Sequence, residues 1–137
     1  MKDSNQKKSE IGVKSVLDYL RKQGKNPIDF STNREHKGEH KGYDILVGKQ
    51  KIEVKCSARH KGIPDCFVSE FDKNKNLIAD FMYIVRLNKL KPYAIQILSK
   101  KEFNKYSALH KKKIIIKIAS ALKTDLEKNK VGRTIKI

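Results

Sequence analysis

The sequence predicts a mixed α/β domain in which helices enclose a central β-sheet. Three observations lead there. Residues 4 to 23 carry apolar side chains at helical spacing, and residues 43 to 56 alternate as two strands around a short turn. The rest of the chain alternates apolar, strand-like runs with helical segments. At 137 residues the chain fits one domain, 1–137, long enough to bury a core without disulfides or a structural metal.

The first helix follows from Val13, Val16, Leu17 and Leu20, which recur at spacings of three and four, with Gly24 as a stop. Glu10 sits at the margin of that stripe. The position suits a carboxylate looking into a cleft beside the core, and equally an exposed first-turn carboxylate favoured by the helix dipole. After Pro27, Ile28 to Ser31 read as a short strand and polar residues 32 to 41 as a loop. That loop holds a tandem Glu-His-Lys-Gly at 35 to 38 and 39 to 42. His36 and His40 have the i, i+4 spacing of a helical metal pair, but Gly38 and the polar surroundings oppose a helix. A surface loop meeting nucleic acid or solvent is the better reading.

Tyr43 to Val47 and Gln50 to Cys56 then read as strands joined at Gly48-Lys49. Residues 69 to 78 read as a short helix, Asp80 to Leu87 as a largely apolar strand and Tyr93 to Leu98 as another. Ser99 starts a helix expected to run through about His110. Lys111 to Lys113 precede an Ile-rich stretch at 114 to 118, followed by a helical segment to about Asn129 and a final strand at 133 to 137.

The hairpin carries the chemistry. With Gly48-Lys49 as a two-residue turn of type II′, Val47 pairs with Gln50 and Asp44 falls opposite Glu53. Strand alternation then projects Asp44, Glu53 and Lys55 on one face, and Tyr43, Ile45, Ile52 and Val54 on the other. A turn centred on Lys49-Gln50 sets Asp44 against Lys55 and preserves the cluster, whereas a three-residue loop disperses it. Two adjacent carboxylates repel unless a cation lies between them, and oxygen ligands with room for water suit magnesium. A lysine beside such a site can orient or deprotonate a water and offset charge on a phosphate oxygen. The chemistry indicated is phosphodiester hydrolysis. Taken singly, Glu-x-Lys is common, and an ordinary surface hairpin with a cross-strand Glu-Lys pattern is the competing reading.

Composition points the same way. Lys and Arg total 32 against 15 Asp and Glu, a net charge of +17, which favours a polyanionic partner. The last 57 residues hold 15 basic and 3 acidic side chains, so Lys111, Lys112 and Lys113 are expected to contact the nucleic-acid backbone. Charge alone does not establish that binding. No apolar run approaches the roughly 18 residues of a membrane span, and the N-terminus lacks a hydrophobic signal core, so no membrane partner and a cytoplasmic location are expected. Cys56 and Cys66 form no Cys-x-x-Cys pair, and reduced thiols are expected.

The residues quoted resemble the PD-(D/E)xK nuclease superfamily, whose restriction-endonuclease-like fold is shared by restriction enzymes, archaeal Holliday-junction resolvases and many defence nucleases. Tyr43-Asp44 resembles the first motif, Glu53-Val54-Lys55 the second, and Glu10 the acidic residue many members place on the first helix. The resemblance covers roughly residues 9 to 98. It implies a restriction-endonuclease-like central mixed β-sheet flanked by helices, with Asp44 and Glu53 as Mg2+ ligands, Mn2+ as a substitute, and the Val54 carbonyl as a further ligand. It also implies Lys55 as the catalytic lysine and Glu10 as support for the metal or its water. Tyr43 stands where the motif's name has Pro, as in the many members with Gly-aromatic-Asp. The implied activity is metal-dependent endonucleolytic cleavage of DNA, as in restriction or defence enzymes. Alternatives are a Holliday-junction resolvase, separated by a preference for branched DNA, and a basic nucleic-acid-binding module without chemistry, separated by metal-dependent cleavage. Pairing two nicking centres would require a homodimer, for which no heptad pattern is readable.

Overall fold

The computed structural model describes residues 4–30, 43–57, 66–68, 78–102, 107–109, 115–118 and 132–137. Helix α1, Ser4–Lys22, ends as its sequence requires. Gly24 adopts φ 78°, its N–H donates to the Arg21 carbonyl and the Lys25 N–H to that of Leu20. These paired bonds satisfy carbonyls that the last turn would otherwise leave without partners, and a residue lacking Cβ takes the left-handed position at no steric cost.

The strands are β1 (Ile28–Asp29), β2 (Ile45–Val47), β3 (Gln50–Ser57), β4 (Cys66–Val68), β5 (Phe81–Asn88), β6 (Lys91–Ser99), β7 (Ser107–Leu109), β8 (Ile115–Ile118) and β9 (Arg133–Lys136). Six form one mixed sheet in the order β1-β2-β3-β5-β6-β9, and three form a second sheet in the order β4-β8-β7. The architecture is mixed α/β. All neighbours in the larger sheet are antiparallel except β3 and β5, which run parallel and so need the long crossover between residues 57 and 81.

Two hairpins use different turn chemistry. Gly48 has φ 60° at the first central position of the β2–β3 turn, whereas Lys89 and Leu90 both have positive φ between β5 and β6. The second pattern is that of a type I′ turn, which matches the twist of its strands but is usually signalled by Asn-Gly. Lys-Leu gives no such signal. Accordingly β5 and β6 extend further toward each other than apolar content suggested.

Side chains of α1 pack on one sheet face, where Val13, Val16, Leu17 and Leu20 join Ile45, Ile52, Val54, Tyr83, Val85, Leu87, Ile95 and Ile97 in a buried cluster. The opposite face is also buried at Met82, Ile84 and Leu98, which explains why β5 reads as a continuous apolar run rather than an alternating one. Asp80 sets the parallel register. Its N–H donates to the Lys51 carbonyl and its Oδ2 accepts from the Lys51 N–H, each at 2.8 Å, while its own carbonyl accepts from Lys100.

One expectation is overturned. Residues 100–102 are helical, but Ser107–Leu109, expected to lie in a helix running from Ser99 through about His110, form strand β7. The cause is pairing: β7 bonds to the Ile-rich β8, whose β-branched residues favour a strand and offer a ladder that local helix propensity cannot match. The first strand is also shorter than expected, Ile28–Asp29. The loop at 32 to 41 with His36 and His40, the helix expected at 69 to 78 save its last residue, and the segment leading to Asn129 lie outside the described residues. Among the described residues no helix is long and apolar enough to cross a membrane.

Candidate active site

The β2–β3 register is Val47 with Gln50, Leu46 with Lys51 and Ile45 with Ile52. Asp44 directly precedes β2, and its carboxyl group shares a hydrogen bond with that of Glu53 on β3. The regular ladder ends there: the chain bends at Asp44, and its N–H donates at 2.8 Å to the carbonyl of Ile52, the residue already paired with Ile45. The Val54 N–H donates to Oδ2 of Asp44, at 2.9 Å, so a carboxylate occupies the place of a backbone acceptor. The Asp44 carbonyl is meanwhile taken by the Phe30 N–H at 2.9 Å. The side chain is therefore held against β3 by its own main chain and by β3.

Glu53 is buried, 8% exposed, in the middle of β3. Burial raises its pKa from 4.5 to about 8, the nearby charge of Asp44 and a hydrogen bond between the two carboxyl groups add to the rise, and Lys55 partly opposes them. Lys55 Nζ stands 3.5 Å from Glu53 Oε1. The site is an acid pair with a lysine at its rim. Two close carboxyl groups, one of them holding a proton near neutral pH, form the kind of oxygen-donor set that a hard divalent cation stabilises by replacing that proton.

Alternation places Val54 and Cys56 on the α1 side. Val54 belongs to the core cluster, and Cys56 Sγ donates to the Lys8 carbonyl at 3.1 Å. Burial pushes the Cys56 thiol up to about 11, so it is protonated and packed rather than nucleophilic. A Cβ on Gly12 would collide with Cys56 Sγ, so helix and strand approach as closely as they do only because residue 12 is glycine. A glycine in the middle of a strong helical pattern was the available signal for that contact.

Glu10 lies on the exposed side of α1 and is not among the groups acting on Glu53. Among the described residues no group of three His, Cys, Asp or Glu side chains is placed to hold a metal. Lys111, Lys112 and Lys113 lie outside the described residues. Asp80, which sets the strand register, and Gly12 carry positioning roles that sequence pattern alone did not assign. No protein-family model matches this chain, and no curated protein does.

Proposed function

We propose that this chain is a magnesium-dependent DNA endonuclease of the PD-(D/E)xK type, with a restriction-endonuclease-like fold. The observation that carries the reading is the acid pair Asp44 and Glu53, whose carboxyl groups share a hydrogen bond, with Lys55 Nζ at 3.5 Å from Glu53. Asp44 and Glu53 would hold Mg2+ or Mn2+, with the Val54 carbonyl as a further ligand. A bound divalent cation supplies Lewis acidity, which lowers the pKa of water and neutralises charge on a phosphate. Lys55 orients the attacking water or withdraws its proton and offsets charge developing on the phosphate oxygen. The Val54 N–H and the Phe30 N–H keep Asp44 in place while this happens. A net charge of +17 favours the polyanionic substrate.

The test uses the purified full chain on supercoiled, linear, branched and single-stranded DNA, with Mg2+ and with a chelator. Cleavage is expected only with Mg2+, and is expected to vanish in Asp44→Ala and Glu53→Ala proteins that still bind DNA. Undiminished cleavage in either variant refutes the assignment. No metal-dependent cleavage of any substrate leaves a binding module.

A further inference from the structure

A second kind of chemistry adjoins the acid pair. The rings of Phe30 and Tyr43 meet edge to face, with centroids 6.1 Å apart at 87°, and Lys51 Nζ lies 5.4 Å from the centre of the Tyr43 ring. These three residues come from separate stretches of chain that converge on Asp44. The Phe30 N–H donates to the Asp44 carbonyl, Tyr43 directly precedes Asp44, and Lys51 precedes Glu53 by two positions on the same strand face. All three are half-buried, so each keeps part of its surface in reach of a ligand.

Edge-to-face contact with Phe30 fixes the plane of Tyr43, and the Lys51 ammonium sits within the distance at which a ring attracts a cation. An aromatic ring of fixed plane beside an ammonium suits a nucleotide, because every base offers a π-face and every linkage a negative charge. Such a ring serves an unpaired base far better than a paired one, since duplex bases are already stacked on each other.

We propose that Phe30, Tyr43 and Lys51 form a stacking platform for an unpaired base beside the phosphodiester held at Asp44 and Glu53, making single-stranded DNA or unpaired segments the favoured substrate. The inference rests on the nuclease reading above and specifies its substrate class. Tyr43 supplies the stacking surface, Phe30 holds it, and Lys51 supplies the charge for the adjoining phosphate.

Binding is measured without metal, on a single-stranded oligonucleotide carrying 2-aminopurine and on the duplex of the same sequence, for the wild type, Tyr43→Leu, Tyr43→Phe and Lys51→Gln. Tyr43→Leu is expected to weaken single-strand binding about tenfold or more and to abolish quenching of the probe, with duplex affinity changed less than about twofold. Tyr43→Phe, which keeps the ring, is expected to retain both. Equal losses on the two substrates, or no loss on the single strand, overturn the proposal. If circular dichroism shows Tyr43→Leu unfolded, Lys51→Gln decides: a loss confined to the single strand supports the platform and any other result overturns it. Cleavage is scored separately with Mg2+. Cleavage that ignores Tyr43 removes the platform and keeps the nuclease, whereas Tyr43-dependent single-strand binding without cleavage keeps the platform and removes the nuclease. Absence of binding to both oligonucleotides removes the platform.

Discussion

The amide N–H of Val54 donates to the Asp44 carboxylate at 2.9 Å, so one side chain both ties the start of β2 to β3 and supplies half of the acid pair. Its structural and chemical roles separate on substitution. Asp44→Asn keeps an oxygen acceptor for Val54 and is expected to unfold within roughly 0.5 kcal/mol of wild type, while Asp44→Ala loses about 1–3 kcal/mol because the buried N–H is left without its acceptor. Both are expected to abolish cleavage. Urea denaturation beside a Mg2+ cleavage assay tests the separation, and an Asp44→Asn protein that still cuts would show that the charge is not required.

Glu53 gives the protein a pH-dependent stability. Its pKa is about 8 in the folded chain, by burial first and the Asp44 charge second, against an ordinary value of 4.5. Between those values the unfolded chain has released the proton that the folded chain retains. This contribution is therefore fully present below about pH 4.5 and is lost as pH rises through 8, at a slope of at most roughly 1.4 kcal/mol per unit. Glu53→Gln cannot ionise and is expected to lack the slope, to be more stable than wild type at the alkaline end, and to be inactive. Denaturation midpoints from about pH 5 to 9 test this. Parallel curves for the two proteins would count against a buried, protonated Glu53.

Gly12 and Cys56 are expected to behave as one unit. Gly12→Ala gains about 1 kcal/mol of helix propensity but forces a methyl group into Cys56 Sγ, an overpacking that costs about 1–3 kcal/mol. Cys56→Ala alone loses packing and should cleave normally, because its side chain faces α1 rather than Glu53. In the double variant the collision is gone and the helical gain remains, so stability should exceed the sum of the single effects. Strict additivity in thermal unfolding would contradict the contact.

Lys111, Lys112 and Lys113 are expected to hold the phosphate backbone while the hairpin cuts. Replacing all three with Gln should weaken binding across sequences and lower the salt slope by roughly one unit for each phosphate released. Cleavage at saturating DNA should change much less than affinity, since Asp44, Glu53 and Lys55 are untouched. An unaltered salt slope in the folded triple variant assigns these lysines to solvent.

Local features of the molecule were legible in the chain alone. The stripe Val13, Val16, Leu17 and Leu20 with Gly24 behind it specified α1, because helical period and a left-handed stop are properties of neighbouring residues. Gly48 likewise specified an even-numbered turn, and that parity pairs Val47 with Gln50 and leaves Asp44 within reach of Glu53. Features that depend on distant partners came from the assembled fold. Ser107–Leu109 became a strand because β8 offered hydrogen bonds, and Glu10 stayed at the surface because the orientation of α1 is set by the core. The close approach of Gly12 to Cys56 and the Asp80 clamp on Lys51 join segments far apart in the chain, and the meeting of Phe30, Tyr43 and Lys51 depends on how three strands come together. Burial decided the proton on Glu53. A charge state depends on how much water the fold removes and on which charge it places alongside, and neither is written in the residues next to it.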